Sequence, residues 1–221
     1  MKSIIKLTIS FFVVTFMMIS SFSYNILAAS KDNNQTEFES FLIDLAKNDP
    51  QAKVAFDQYS NLSEAEKAKF VDILYSEEYV KAVSAMPDVE VGESRLFHNG
   101  DIVVQTRASN DSTLNSSGSD SNGIVHEVKV YGIFVTQYYL TVYFKYKNHY
   151  YVTETTSAKN SHTNVNPAIL VSDGATNHWA EDGWARAWGK FNVTLTATPW
   201  RTQTHVLNIQ CNPYEVDGWL D

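Results

Sequence analysis

Residues 137–147 read "QYYLTVYFKYK", and this stretch decides the fold because its apolar residues recur at every second position. Successive side chains of an extended strand point to opposite faces. One face would carry Tyr138, Leu140, Val142, Phe144 and Tyr146. The other would carry Gln137, Tyr139, Thr141, Tyr143, Lys145 and Lys147. This alternation is typical of an antiparallel strand that buries one face.

A second stretch, residues 184–197 "WARAWGKFNVTLTA", alternates in the same way. One side begins with small residues and becomes bulky, as expected of an inward face that is pressed against another sheet. It comprises Ala185, Ala187, Gly189, Phe191, Val193, Leu195 and Ala197. The other side carries Trp184, Arg186, Trp188, Lys190, Asn192, Thr194 and Thr196. We therefore predict a strand with one buried and one outward face.

Short runs of the same kind surround these two strands. Asn99-Gly100 separates two strand-like runs within "RLFHNGDIVVQTR" and suits the type I′ turn of a β-hairpin. "KNHY" at 147–150 reads as another turn, and "PAILVS" and "THVLNIQC" read as further strands. Several short strands separated by turns predict an antiparallel β-sandwich over residues 91–221, immunoglobulin-like or similar. The Ser/Asn/Gly-rich tract at 109–123 is predicted to be a flexible loop within it.

Residues 30–90 instead contain capping signals that mark the starts of helices. Thr36 with Glu39, and Ser63 with Glu66, are spaced as capping boxes, and Asp49 precedes a proline as an N-cap would. Apolar residues recur at intervals of three and four, which predicts three or four short amphipathic helices. The predicted fold class is therefore α+β: a short, acidic helical segment followed by the sandwich.

The first 29 residues are predicted to be a cleaved signal peptide. Lys2 and Lys6 precede the uncharged apolar run "LTISFFVVTFMMIS", and a more polar tail ends in small residues at Ala29. The alternative is an N-terminal membrane anchor, because Leu7 to Leu27 is long enough to span a bilayer. Cleavage would remove two lysines and no acid, and would move the formal charge from −8 to −10. The predicted location is outside the cell.

Charge and cysteine content exclude several classes of function. An acidic chain without a basic patch is not expected to bind nucleic acid, and its charge does not favour anionic lipids. The single cysteine, Cys211, rules out a disulfide within the chain. A reactive thiol is one interpretation of Cys211; a small buried residue on an alternating strand is the favoured one.

The order of the strands carries a resemblance. "YGIFVTQYYLTVYFKY", "NVNPAILVS", "ARAWGKFNVTL", "THVLNIQCN" and a late "DG" follow one another between about residues 128 and 218. This order resembles a loose group of largely uncharacterised, small, exported β-rich proteins of Gram-positive bacteria. The resemblance involves framework residues, so it implies a compartment and a fold and transfers no catalytic residue.

The favoured candidate site is the outward face of the second strand. Trp184 and Trp188 flank Arg186, and such rings can stack a cation, a sugar or a flat ligand. The alternative is that the acidic N-terminal helices cover and bury these rings. Tyr139 and Tyr143 are further candidate contact residues, because tyrosine provides contact area at a low cost in entropy.

A second candidate set is His178, Glu181 and Asp182, which offer metal-binding or acid–base groups just before the strand. Their spacing matches no closed set of zinc ligands. "EDG" is also a good turn sequence, and this interpretation is favoured. The chain lacks a nucleophile elbow and the phosphate-binding glycine motifs. An enzymatic function is therefore uncertain and less favoured, and no metal or cofactor is predicted.

These observations predict an exported, non-catalytic binding or interaction protein that acts at the cell envelope or extracellularly. Its partner would be a cell-wall glycan, a membrane surface or another protein. The first alternative is a secreted toxin-like or antimicrobial protein, because the strands of the hairpin "QYYLTVYFKYKNHYYVTETT" approach the length that crosses a bilayer. A half-buried strand pair of a sandwich shows the same alternation and is the favoured interpretation of this hairpin. The second alternative is a hydrolase that uses His178, Glu181 and Asp182.

Overall fold

The structure is a computed structural model that describes residues 31–84, 89–110, 117–196 and 202–221. The predicted signal peptide lies outside the described residues. Within these ranges four helices come first: α1 (Lys31–Ala46), α2 (Pro50–Ser60), α3 (Glu64–Leu74) and α4 (Glu77–Ser84). Among the described helices, none combines the length and the apolarity needed to cross a bilayer.

In the part of the chain that the structure describes, nine strands follow and form two antiparallel sheets, so the predicted α+β class with a sandwich-like pair of sheets is confirmed. The five-stranded sheet consists of β1 (Ser94–Phe97), β2 (Ile102–Asn110), β3 (Gly118–Val130), β4 (Ile133–Lys147) and β5 (Tyr151–Asn164). The four-stranded sheet consists of β6 (Ile169–Glu181), β7 (Trp184–Leu195), β8 (Thr202–Cys211) and β9 (Val216–Leu220). In each sheet every strand pairs with its neighbour in sequence, so each sheet is a meander.

The core lies between the sheets because the alternating strands bury the predicted faces. The five apolar side chains of β4 from Tyr138 to Tyr146 are at most 4% exposed. The Tyr138 ring stacks on the ring of Phe191 in β7 with 4.7 Å between centroids. Gly189 allows close approach, since a Cβ there would lie 3.0 Å from the Cβ of Asn160 in β5. The small residues of β7 therefore allow the two sheets to pack closely against each other.

The turns occur where the sequence predicts them. Phe97 pairs with Ile102 across the Asn99-Gly100 turn, where Asn99 and Gly100 have φ of 58° and 96°. The β4–β5 hairpin turns at Asn148 and His149, which also have positive φ. Asp182 and Gly183 join β6 to β7 with φ of 53° and 83°, as two-residue hairpin turns require.

The helical segment packs mainly on the five-stranded sheet. α2 contacts β4 and β5, and α4 contacts β1 and β2. Tyr79 of α4 is hydrogen-bonded to Thr136 of β4 at 2.9 Å, and the side-chain amide of Asn166 donates to the carbonyl of Leu74 at the end of α3. Ser63 and Glu66 form the predicted capping box at the start of α3.

The loop predicted at 109–123 is wrong in part. Of the Ser/Asn/Gly-rich tract, residues 109–110 belong to β2 and residues 118–123 belong to β3, while residues 111–116 lie outside the described part. β3 extends through these polar residues because its backbone pairs with β4. Local composition does not reveal this pairing. The stretch "NHWA" at 177–180 is the end of β6, because the Asp182-Gly183 turn pairs it with β7.

Candidate binding face

The outward face of the four-stranded sheet concentrates the tryptophans of the protein. The chain has five tryptophans, and the four that lie in the described part are Trp179 in β6, Trp184 and Trp188 in β7, and Trp219 in β9. Buried residues such as Ala185, Ala187 and Phe191 alternate with them and point inward. We call this surface, formed by the outward side chains of β6–β9, the tryptophan face.

The strand register sets the spacing of these rings. Trp179 pairs with Arg186, so Trp179 is the diagonal neighbour of both Trp184 and Trp188, at about 7–8 Å between backbone positions. Trp188 pairs with Asn208, which in turn pairs with Trp219. Trp188 and Trp219 are therefore two strands apart, about 10 Å. Three indoles surround Arg186, and the fourth extends the aromatic surface across the sheet.

The charged groups between the rings already interact with neighbouring side chains. Arg186 Nη1 donates to Glu181, and Trp179 Nε1 donates to the same carboxylate oxygen at 3.4 Å. Lys190 Nζ lies 5.3 Å from the centroid of the Trp188 ring, which is a cation–π distance. Arg186 Nε is buried and has no hydrogen-bond partner among the described residues. Both cations of this region thus support the rings and their geometry.

Amide and carboxylate side chains complete the face. The side-chain amide of Asn208 donates to Asp221 at 2.9 Å and lies between Trp188 and Trp219 in the register. Gln210 pairs with Asp217 and continues this polar row beside Arg186. The tryptophan face therefore alternates aromatic rings with hydrogen-bonding groups.

Solvent reaches the face. Trp179 is 39% exposed and Trp219 is 40% exposed, while Trp184 and Trp188 are half-buried. The principal contacts of the helices are with the other sheet, so the alternative in which they cover these rings is wrong. Lys190, which lies over the Trp188 ring, contributes to the partial burial of Trp188.

No family model, curated protein or solved structure matches the chain. The tryptophan face is therefore interpreted from its own geometry.

Tyr139 and Tyr143 do not share this surface. They project from the outward face of the five-stranded sheet, on the opposite side of the sandwich from Trp184 and Trp188. The Tyr139 hydroxyl donates to Gln137 at 2.6 Å, and burial together with the nearby Glu127 carboxylate raises the pKa of Tyr139. Lys159 Nζ lies 5.7 Å from the centroid of the Tyr143 ring. Both tyrosine side chains therefore interact with residues of their own sheet.

The second candidate set is split by the alternation of β6. Glu181 points outward with Trp179, whereas His178 pairs with the inward Ala187 and is hydrogen-bonded to Thr155 of β5 at 2.9 Å. Asp182 occupies the hairpin turn. In the described ranges, no group of three or more His, Cys, Asp or Glu side chains is placed to hold a metal ion.

Cys211 lies on the inward face of β8 and is fully buried. Burial raises the pKa of its thiol to about 12. Because the thiolate is the reactive form of cysteine, this thiol is unreactive at neutral pH, and the favoured interpretation as a small core residue is confirmed.

Sequence reasoning missed two members of the face, Trp179 and Trp219. A signal for Trp179 was present: a two-residue Asp-Gly turn places Glu181 opposite Trp184 and Trp179 opposite Arg186. No comparable local signal exists for Trp219, because its position depends on the pairing of β9 with β8.

Proposed function

We propose that the protein is an exported, non-catalytic binding protein that acts at the cell envelope or outside the cell, with the tryptophan face as its contact surface. One observation carries the proposal: four indoles gather on one outward sheet face, two of them about 40% exposed. Exposed aromatic surface of this kind is unfavourable in water, and in folded proteins it marks contact sites. Tryptophan and arginine are also the residues that contribute most to binding at interfaces.

A rigid scaffold supports this role. Each indole stands on a paired strand, and the inward neighbours Ala187, Phe191 and Ile209 are at most 1% exposed. Side chains held by regular strands lose little freedom on binding, which favours affinity. The face is thus organised before any partner arrives.

No specific observation favours the other two functions. The toxin-like alternative needs the apolar face of the β4–β5 hairpin, and Tyr138 and Phe144 of that face are fully buried in the sandwich core. The hydrolase alternative needs His178 beside Glu181, and these two side chains lie on opposite faces of β6.

Export through a signal peptide at residues 1–29 and the likeness to exported β-rich proteins of Gram-positive bacteria are parts of the proposal. Both rest on the sequence pattern described above. An immunoglobulin-like type of sandwich also stays a prediction, and the sequential strand order does not favour its Greek-key connections.

The experiment uses the protein without residues 1–29 and a variant that combines Trp184→Ala with Trp188→Ala. We expect the parent protein to sediment with purified Gram-positive cell envelopes and the variant to remain in solution. Tyr143→Ala, on the opposite sheet, is the matched aromatic control and should sediment like the parent. Thermal melting of all three proteins separates lost contact from lost fold. Equal sedimentation of parent and variant, with both folded, would contradict the proposal.

A further inference from the structure

We infer that the tryptophan face binds a neutral, extended glycan chain that lies across the strands. This inference rests on the proposed function and specifies the ligand of the same surface. A pyranose ring offers a flat face of C–H bonds to an aromatic ring and a rim of hydroxyl groups to polar side chains. Each of these two requirements has a counterpart on the face.

The rings provide the stacking positions. The π face of an indole is electron-rich, so it attracts the weakly positive hydrogens of C–H bonds. Trp179 and Trp219 present about 40% of their surface at opposite edges of the sheet, and Trp188 lies between them. A monosaccharide would contact one indole; a chain of several sugar units can contact the row.

The polar side chains beside the rings can form hydrogen bonds with the hydroxyl groups of a sugar. Glu181 is half exposed and lies next to Trp179, and its carboxylate already accepts from the indole N–H. Asn208 occupies the position between Trp188 and Trp219, and Asp217 follows beside Gln210. Carboxylate and amide oxygens accept hydrogen bonds from hydroxyl groups, and amide N–H groups donate to them.

The charges of the face favour a neutral ligand. Its described side chains include two cations, Arg186 and Lys190, and three carboxylates, those of Glu181, Asp217 and Asp221. Arg186 is paired with Glu181, and Lys190 lies over Trp188. The face therefore carries one more negative than positive charge, which does not favour an anionic membrane or a polyanion.

The arrangement of the face favours a chain over a small molecule. The indoles lie on three strands of an open sheet, so a ligand can extend past either edge. A compact ligand of drug size would instead be expected in a concave cavity that buries most of its surface. The surface therefore suits an extended polymer that contacts several rings in succession.

The test measures binding of the protein without residues 1–29 to insoluble chitin and to cellulose as neutral glycans. Heparin-agarose serves as the polyanion, and phosphatidylglycerol vesicles serve as the anionic membrane. We expect binding to at least one neutral glycan, little change at high salt, and no binding to the two anionic probes. Trp179→Ala combined with Trp219→Ala should weaken glycan binding by about tenfold or more, because it removes the two most exposed stacking positions of the face.

Two controls keep the inference separate from the proposed function. Tyr143→Ala should bind the glycans like the parent, and melting curves should show that every variant is folded. If the parent sediments with whole envelopes but binds neither neutral glycan, the glycan inference is wrong and the proposed function stands. If it binds neither envelopes nor glycans, both are wrong. Binding to vesicles or heparin that high salt abolishes would also overturn the inference.

Discussion

The outward faces of the two sheets each contain a carboxylate beside an arginine, in very different surroundings. On the five-stranded sheet, the Glu127 side chain is 2% exposed and accepts hydrogen bonds from Gln105, from Gln137 at 2.7 Å and from Lys129 at 3.0 Å. Arg107 Nε lies 3.3 Å from the same carboxylate. On the tryptophan face, the Glu181 side chain is 52% exposed and accepts from Arg186 and Trp179.

This difference shows on which face the polar groups are already hydrogen-bonded within the protein. Around Glu127 the polar groups satisfy one another, so this part of the outward face leaves few polar groups available to a partner. Burial works to raise the pKa of Glu127, but the hydrogen bonds from Gln137, Lys129 and Gln105 outweigh it and hold the pKa below its usual value. The tryptophan face instead leaves aromatic surface in contact with water, where a ligand can cover it.

The strongest test of this comparison removes each carboxylate in turn. Glu127→Ala should lower the free energy of unfolding by about 3 kcal/mol, because it leaves buried donors and nearby cations without their acceptor. Glu181→Ala should cost less than about 1 kcal/mol, because an exposed ion pair contributes little. Urea unfolding at neutral pH measures both values.

Glu127→Gln is the control for volume, since it keeps the shape and removes the charge. It should lie between the parent and the alanine variant. Equal losses for Glu127→Ala and Glu181→Ala would mean that the two faces do not differ in the way their exposure indicates.

The second test turns from Glu127 to its neighbour in β3, His126, which points into the core. The Thr106 hydroxyl donates to the carbonyl of Val89, so it accepts from Nδ1 of His126 at 2.5 Å. His126 Nε2 then remains unprotonated and buried, without a partner among the described residues. Burial, with a smaller contribution from His205 in β8, lowers the pKa of His126 to about 3.

Acid should therefore destabilise the fold. The unfolded chain binds a proton at His126 below about pH 6.5, whereas the folded chain does so only near pH 3, so stability falls through this window. Between pH 8 and pH 5 the loss from His126 should be about 2 kcal/mol. Urea unfolding at both pH values measures it. His126→Gln should flatten the dependence apart from a contribution of His205, whose pKa burial also lowers. A pH-independent parent would contradict a neutral buried His126.

The sequence predicts each strand's buried face better than it predicts the surface that the strands build together. Burial of one face imposes a period of two, so the inward sets of β4 and β7 are readable from local sequence. The tryptophan face needs residues from three strands in one register, and Trp219 reaches it through two successive strand pairings. The Asp-Gly turn fixes the register of β6 with β7, but the registers of β7 with β8 and of β8 with β9 depend on contacts between strands that no local pattern specifies. For the same reason Tyr139 and Trp188 could not be assigned to different sides of the sandwich.

The smallest expected effects concern Tyr139 and Tyr143 on the five-stranded sheet, and they sharpen the comparison of the two faces. Tyr139→Phe removes the hydrogen bond to Gln137 and should cost about 1 kcal/mol in unfolding free energy. Tyr143→Ala removes a partly exposed ring beside Lys159 and should cost about as much. Neither change should alter sedimentation with cell envelopes, because the tryptophan face lies on the other side of the sandwich. Loss of envelope binding in a folded Tyr143→Ala protein would show that the contact surface includes the five-stranded sheet.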